Sequence, residues 1–417
     1  MLPLVKTPIQ RLEKYRELIS EELFEEIKNL SQQLIGLKVN LINATPRGGG
    51  VAEVLKSLVP LMKGVGIKAE WYTIPPREDF FRITKEIHNA LQGKEYAFPI
   101  WHRVRYLQHI EKTAFLMMDM KADIWVIHDP QPAGIILYLP NFHPSICHLH
   151  IDLTLPNPEA WNFFVGSFRM YDKIILTSKE FIKKEIKEKT IIFPPAIDPL
   201  IEKNRPLELK KAKQILESFG IDVKKPLISQ VSRFDPWKDP LGAIEAYKLA
   251  KKKISDLQLA LVGLFLARDD PEAMKIFKET EKVAKGDSDV FLFSNADQIG
   301  SLKVDTFVNA FQTASDIILQ KSIKEGFNLS VTEAMWKGKA VIGGNVGGIK
   351  LQIENGKNGF LVSTPKEAAK RIVQLIRNPQ LAEKLGKAAK ETVKEKFLMP
   401  RLLRDYLKLF KEVIKPR

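Results

Sequence analysis

Residues 317–343, IILQKSIKEGFNLSVTEAMWKGKAVIG, hold one complete unit of the fold. Ile317–Gln320 is a short apolar run closed by charge and glycine, and Ala340–Gly343 is a second one. Between them Ser330 and Glu333 form an S-x-x-E capping box, which predicts a helix starting near Val331. Two continuously apolar strands around a helix predict parallel pairing with both sheet faces covered. The alternation extends outward from this unit. Leu227–Ser232, Gln258–Val262 and Val290–Phe293 precede it and Gly359–Val362 follows it. Before residue 200 a second series runs through Lys38–Asn43, Ile67–Thr73, Ile124–His128, Ile146–Leu149, Lys173–Thr177 and Thr190–Phe193, after a helical stretch from Leu12 to Leu34. Two such series predict an α/β chain of two Rossmann-like, doubly wound parallel-sheet domains facing each other across a cleft. The proline-punctuated stretch from Phe193 to Pro206 marks the linker, giving expected domains 1–198 and 199–396.

The 417 residues are 45% hydrophobic, which excludes intrinsic disorder. A lone Cys147 cannot form an internal disulfide, and no Cys/His cluster has zinc spacing, so no metal site is read and a reducing compartment is expected. The longest apolar stretch, Leu257–Ala267, is about half of a membrane span. With no apolar leader read at the N-terminus, the expected location is the cytoplasm. The net charge of +15 is concentrated near the C-terminus, where 371–417 holds 13 Lys and Arg against 5 Asp and Glu. These cations surround an apolar stripe of Leu402, Leu403, Tyr406, Leu407 and Phe410, so they read as a solvated helix face rather than a nucleic-acid or membrane surface. A positive field still favours an anionic substrate.

Ligands of open parallel sheets bind at the carboxyl ends of strands. The first strand ends in a glycine loop, where Gly49 and Gly50 would let the backbone approach a ligand at a helix N-terminus; a tight turn explains them equally. After Leu227–Ser232 come Arg233 and Lys238, then Asp239 as N-cap and Pro240 in the first helical position. Two cations there suit a phosphate or pyrophosphate, or are simply solvated. Glu325 lies in a strand-to-helix loop with no structural reason to be acidic, and the N–H groups of Gly326, Phe327, Asn328 and Leu329 line the helix entry. Asp287-Ser-Asp289 matches a metal-binding D-x-D but reads as a turn before a strand. The stretch Ala97–Met118 mixes aromatic and basic residues on a helical period; it fits an acceptor-facing helix, a membrane-surface helix or ordinary packing.

Glu325 and Glu333 form E-x7-E within EGFNLSVTEAMWKGKAVIGGNVGG, and Arg233 and Lys238 form R-x4-K. With the glycine loop and linker, this set resembles the nucleotide-sugar-dependent retaining glycosyltransferases of the GT-B fold, family 4. His128-Asp-Pro-Gln-Pro132 and His148-Leu-His150-Ile-Asp152 look closest to the branch of trehalose glycosyltransferring synthases and trehalose phosphorylases. The resemblance implies that the second domain binds a nucleoside diphosphate glucose and the first binds glucose, that the product is α,α-trehalose, and that the reaction is reversible. It implies catalytic roles for Arg233 and Lys238 at the leaving pyrophosphate, Glu325 at the transferred sugar and His150 near its 6-hydroxyl. Glu333 would hold the ribose, and Asp152 and Asp129 acceptor hydroxyls, although Asp129 reads equally well as an N-cap. The C-terminal helix, about 397–417, would complete the first domain. No cofactor is expected for the chemistry, with Mg²⁺ only as a companion of the nucleotide; a homodimer is compatible, and neither nucleic acid nor membrane is an expected partner. The alternatives are a trehalose phosphorylase, a transferase to a glycolipid or other sugar acceptor, and a non-catalytic basic binding protein. High Lys and Ile usage would suit a thermophile.

Overall fold

The structure, a computed structural model, describes residues 1–264 and 271–414. The end of the apolar stretch Leu257–Ala267 therefore lies outside the described residues, as do Lys415 and Arg417 of the basic tail. The chain divides into two compact units, Met1–Ala196 with Leu398–Arg417, and Ile197–Phe397. Both are parallel-sheet α/β units, and each is described by itself.

In the first unit the elements run β1 (Leu4–Val5), α1 (Glu21–Gln32), β2 (Lys38–Asn43), α2 (Gly50–Gly64), β3 (Lys68–Thr73), α3 (Glu78–Leu91), α4 (Ile100–Met117), β4 (Ile124–His128), α5 (Pro130–Ala133), β5 (Ser145–Leu149), α6 (Pro158–Met170), β6 (Lys173–Leu176) and β7 (Thr190–Ile192). The sheet order is β1-β3-β2-β4-β5-β6-β7, parallel except for β1. The two-residue antiparallel edge strand β1 was not expected; it is too short to show a period. The helical stretch Leu12–Leu34 is in fact two pieces, a 3₁₀ turn at Leu12–Leu18 and α1, because Ser20 caps α1 by accepting from the Leu23 N–H at 3.2 Å. Every residue of β4 and β5 is buried, so neither strand alternates apolar with exposed positions, and the polar Ser145, His128 and His148 are buried along with their apolar neighbours. Strand order reverses between β2 and β4, so the loops after those two strands open at the switch point.

The second unit runs α7 (Leu209–Glu217), β8 (Leu227–Val231), α8 (Pro240–Lys251), β9 (Gln258–Val262), α9 (Pro271–Ala284), β10 (Val290–Phe293), α10 (Val304–Ala314), β11 (Ile317–Gln320), α11 (Leu329–Trp336), β12 (Ala340–Gly344), α12 (Ile349–Gln352), β13 (Phe360–Val362), α13 (Pro365–Arg377) and α14 (Pro379–Lys396). Its six strands are all parallel, in the order β10-β9-β8-β11-β12-β13, with the reversal between β8 and β11. Apolar clusters cover both faces, one built around Tyr247 and Ile372 and the other around Phe307 and Phe311. Each such fully buried side chain contributes roughly 1.5–3 kcal/mol.

The last helix, α15 (Met399–Val413), belongs to the first unit and packs on α1 and α2. Its stripe of Leu402, Leu403, Tyr406, Leu407 and Phe410 is buried as patterned. Its cations are not simply a solvated face. Arg401 is buried and donates to the Pro194 and Pro195 carbonyls at 2.7 and 3.1 Å while pairing with Asp405 at 2.8 Å. Arg404 and Lys408 both pair with Glu26 of α1, at 3.2 and 2.5 Å. Three of the four cations of this helix thus fasten it to its own unit. Among the described residues no helix is long and apolar enough to cross a membrane.

Candidate active site

The switch point of the second unit gathers charge. β8 runs out into Arg233 and a 3₁₀ turn, Pro236–Lys238, opened by Asp235, whose carboxylate accepts from the Trp237 N–H at 2.9 Å. Neighbouring β11 runs out into Glu325, and Lys238 forms an ion pair with it. Glu325 also accepts from Asn328 Nδ2 at 2.9 Å and Ser322 Oγ at 3.3 Å. Gly348 donates its N–H to the Glu325 carbonyl at 2.9 Å, and a Cβ on Gly348 would lie 2.2 Å from the Gly326 carbonyl, so the 343–348 loop can approach only as glycine.

Lys238 is anchored from beneath. Buried Gln230 donates to the Lys238 carbonyl at 3.0 Å and accepts from the Lys321 N–H at 3.1 Å. The buried Lys321 ammonium pairs with Asp239 at 2.9 Å. Asp239 caps α8 through the Gly242 N–H at 3.0 Å while itself in the left-handed region at φ 49°, a conformation that costs of order 1–3 kcal/mol in a non-glycine residue. Arg233 is exposed and among the described residues pairs with Asp235, at 3.6 Å, so it stands outside the Lys238–Glu325 cluster.

Glu333 departs from its expected role. Asn328, not Ser330, caps α11, accepting from the Val331 N–H at 3.2 Å, and the helix starts at Leu329. No Ser330–Glu333 box forms. The buried Glu333 carboxylate pairs with Lys203 at 2.7 Å and accepts from Gln312 at 3.2 Å. Gln312 accepts in turn from Lys337 at 2.9 Å, whose ammonium is pushed down to about 8 by burial, against the opposing pull of Glu333. The N–H groups of Gly326, Phe327 and Leu329 lie along this loop and helix entry, with Asn328 spent on its cap and on Glu325. Asp287 and Asp289 hold Lys251 at 3.2 and 2.7 Å, and the Asp289 N–H donates to Asp287 at 3.1 Å, so this D-x-D is a turn with its own cation.

In the first unit the loops after β2, β4 and β5 carry the candidates. Gly48 and Gly49 have φ of 76° and 84° in an exposed loop, with nothing near a would-be Cβ, so backbone conformation rather than crowding demands glycine there. α2 begins at Gly50. His128, His148 and His150 bring ring nitrogens within 4.8 Å of one another. The His148 and His150 rings stack at 3.8 Å and 24° instead of converging on a point. His128 Nδ1 faces His150 Nε2 at 3.0 Å, and His148 Nδ1 faces the Tyr406 hydroxyl at 2.5 Å. This is a hydrogen-bonded stack of neutral rings. Burial pushes all three imidazoles down, His150 to about 3.

Asp129 has φ 67° and makes no cap bond to α5; its carboxylate accepts from the His150 N–H at 2.7 Å. Burial pushes it up to about 7. Asp152 is buried and accepts from the Thr154 N–H at 2.8 Å, a turn contact. The helix expected at Ala97–Met118 is α4; it buries Tyr106, His109, Ile110 and Met117 and exposes Ile100, Trp101 and Phe115. Lys203, Gln230, Gln312 and Lys321 were not read from the sequence, and Tyr406 was read only as part of an apolar stripe, because most of their partners lie tens to hundreds of residues away and leave no local pattern.

Two family models match in tandem, "Trehalose synthase, N-terminal domain" over residues 41–183 and "Glycosyl transferases group 1" over residues 211–392. A trehalose synthase from Thermococcus litoralis is 44% identical over 96% of both chains, and one from Rubrobacter xylanophilus 41% over 99% of this chain and all of that one. A trehalose phosphorylase from Pleurotus pulmonarius is 28% identical over 85% of this chain and 54% of its own. Among solved structures, the UDP-forming α,α-trehalose-phosphate synthase from Burkholderia xenovorans in complex with glucose-6-phosphate superposes with a TM-score of 0.72 over 90% of this chain and all of that one, at 11% identity, a likeness of fold. Two parallel-sheet α/β units of the GT-B kind, matched along their length by these relatives, make this chain a member of the trehalose synthase family, a hexosyltransferase.

Proposed function

We propose that this chain makes α,α-trehalose by transferring glucose, with retention, from a nucleoside diphosphate glucose to free glucose, and that the reaction runs in both directions. The observation that carries this reading is the Lys238–Glu325 pair at the switch point of the second unit, in a chain 44% identical to a trehalose synthase. The anomeric C–O bond to the pyrophosphate breaks, the acceptor hydroxyl oxygen bonds to the same carbon, and its proton passes to the leaving phosphate oxygen. Negative charge grows on that phosphate, and Lys238 stabilises it more in the transition state than before, with Arg233 as the second cation. As the phosphate draws Lys238, the Glu325 charge becomes available to the developing positive centre of the sugar. The N–H groups of Gly326, Phe327 and Leu329 are assigned to the donor, with Glu333 at the ribose.

Unit 1 is assigned the neutral hydroxyls, through His150, Asp129, Asp152 and the loop at Gly49 and Gly50. No cofactor enters the chemistry; Mg²⁺ accompanies the nucleotide at most. A cytoplasmic location and a homodimer complete the proposal. A second reading, phosphorolysis with inorganic phosphate as the nucleophile, is favoured by one observation: Glu333 has a complete structural explanation in Lys203 and Gln312, so it does not demand a ribose. NMR analysis of products from UDP-glucose or ADP-glucose with glucose decides. One α,α-linked disaccharide with nucleoside diphosphate supports the synthase. Donor binding without disaccharide removes glucose as acceptor, and turnover of trehalose only with phosphate supports the phosphorylase.

A further inference from the structure

A pocket in the first unit lies where α3 begins against α4, lined by Arg77, Asp79, Phe80, Arg105, Gln108, His109 and Lys112. Four of these, Arg105, Gln108, His109 and Lys112, follow one another at helical spacing and so share one face of α4. We infer that this pocket binds a phosphate-type dianion, a site that the sugar-transfer reading does not use. Arg77 is already engaged, its Nε donating to Asp79 at 2.7 Å while the Phe80 N–H donates to the same oxygen at 2.9 Å. Arg105 and Lys112 make no ion pair among the described residues, although the Arg105 charge helps Arg77 hold the Asp79 carboxyl down; against that one carboxylate, Arg77, Arg105 and Lys112 leave two positive charges in excess at the pocket.

The second observation is His109. It is only 7% exposed, stacks on Phe80 at 3.9 Å, and its Nε2 has no hydrogen-bond partner among the described residues. Buried polar atoms are nearly always satisfied, so a bare ring nitrogen on a residue that lines a basic pocket marks an unfinished arrangement. Burial, Arg77 and Lys112 push the His109 imidazole down, while Asp79 and the Pro75 carbonyl oppose them. An anion in the pocket reverses the dominant electrostatics: it neutralises the cations and lets Nε2 take a proton and donate it. A dianion matches two uncompensated charges, with Gln108 as a neutral donor, whereas a monoanion leaves one unmatched. The phosphoryl group can come from free phosphate or from a hexose phosphate.

Calorimetric titration of the full chain tests this with inorganic phosphate, glucose 6-phosphate and sulfate as probes, repeated on Lys238→Ala so that anion binding at the second unit is read separately. The expected result is saturable binding that weakens at least tenfold in Arg105→Ala/Lys112→Ala, whose changes are at exposed positions. Sulfate, whose charge is constant in this range, should bind more tightly as pH falls from 7.5 to 6 in the parent and not in His109→Phe, which keeps the stack on Phe80. Tighter binding of glucose 6-phosphate than of phosphate identifies the hexose phosphate as the source; the reverse identifies free phosphate. Unchanged affinity in the double variant, or no saturable binding below about 10 mM, overturns the site. Neither outcome bears on trehalose formation, which the product assay reads separately.

Discussion

The polar residues at the two switch points solve opposite problems. In the second unit the carboxylates Glu325, Glu333 and Asp239 each hold a lysine, respectively Lys238, Lys203 and Lys321. In the first unit the corresponding groups are buried and shifted toward their neutral forms: three imidazoles pushed down and the Asp129 carboxyl pushed up, joined by hydrogen bonds. On the proposed reading, a site that meets a growing phosphate charge keeps compensated cations ready to change partner. One that must recognise sugar hydroxyls gains from neutral donors and acceptors, which can be buried at lower cost than ions.

This contrast can be broken by removing charge where it is paired. Glu333→Gln should leave Lys203 without its counter-charge and destabilise the second unit by roughly 3–5 kcal/mol, with Lys203→Met in the same chain restoring much of it; urea unfolding reads both. An undisturbed single variant would mean that Lys203 turns to solvent. Next in size, Lys238→Ala should lower kcat by about 30- to 1,000-fold, equivalent to about 2–4 kcal/mol. A loss confined to KM would instead describe uniform binding. Glu325→Ala should likewise remove most turnover while nucleotide binding, followed calorimetrically, is largely kept.

The neutral side is sharpened by pH. The folded pKa of Asp129, about 7, lies above its ordinary 3.8, so its contribution is fully present below pH 3.8 and is lost as pH rises through 7. Asp129→Asn, which does not titrate, should therefore gain on the parent between about pH 4 and pH 7 and hold a constant advantage above it, of about 2–4 °C in Tm if 1 kcal/mol is recovered. The imidazoles act in the opposite sense: with folded values below 6.5, their contribution is present above that pH and fades as pH falls toward 3. A parallel pair of pH curves would place Asp129 in water. The smallest effect concerns helix entry: Asn328→Ala should cost about 1 kcal/mol and Ser330→Ala no more than about 0.5 kcal/mol.

That last pair shows where reading the sequence stopped. Both Asn328 and Ser330 are good caps, and S-x-x-E favours Ser330. Glu333 is unavailable to complete the box because Lys203, 130 residues away in sequence, draws its carboxylate inward. The strands other than β1, by contrast, were legible to within a residue or two, since burial writes a largely apolar run into most of them. That Lys238 and Glu325 follow strand ends of the second unit was legible too, because the doubly wound topology fixes where those loops open. Residue pattern alone thus determined the layers, the strands and the loops that matter, since these depend on neighbours a few positions apart. Only tertiary structure decided which charge meets which: that Arg401 is buried against Pro194, that Lys321 props Asp239, that His148 meets Tyr406. Those pairings depend on distance in space between chain segments that carry no information about one another in their local composition.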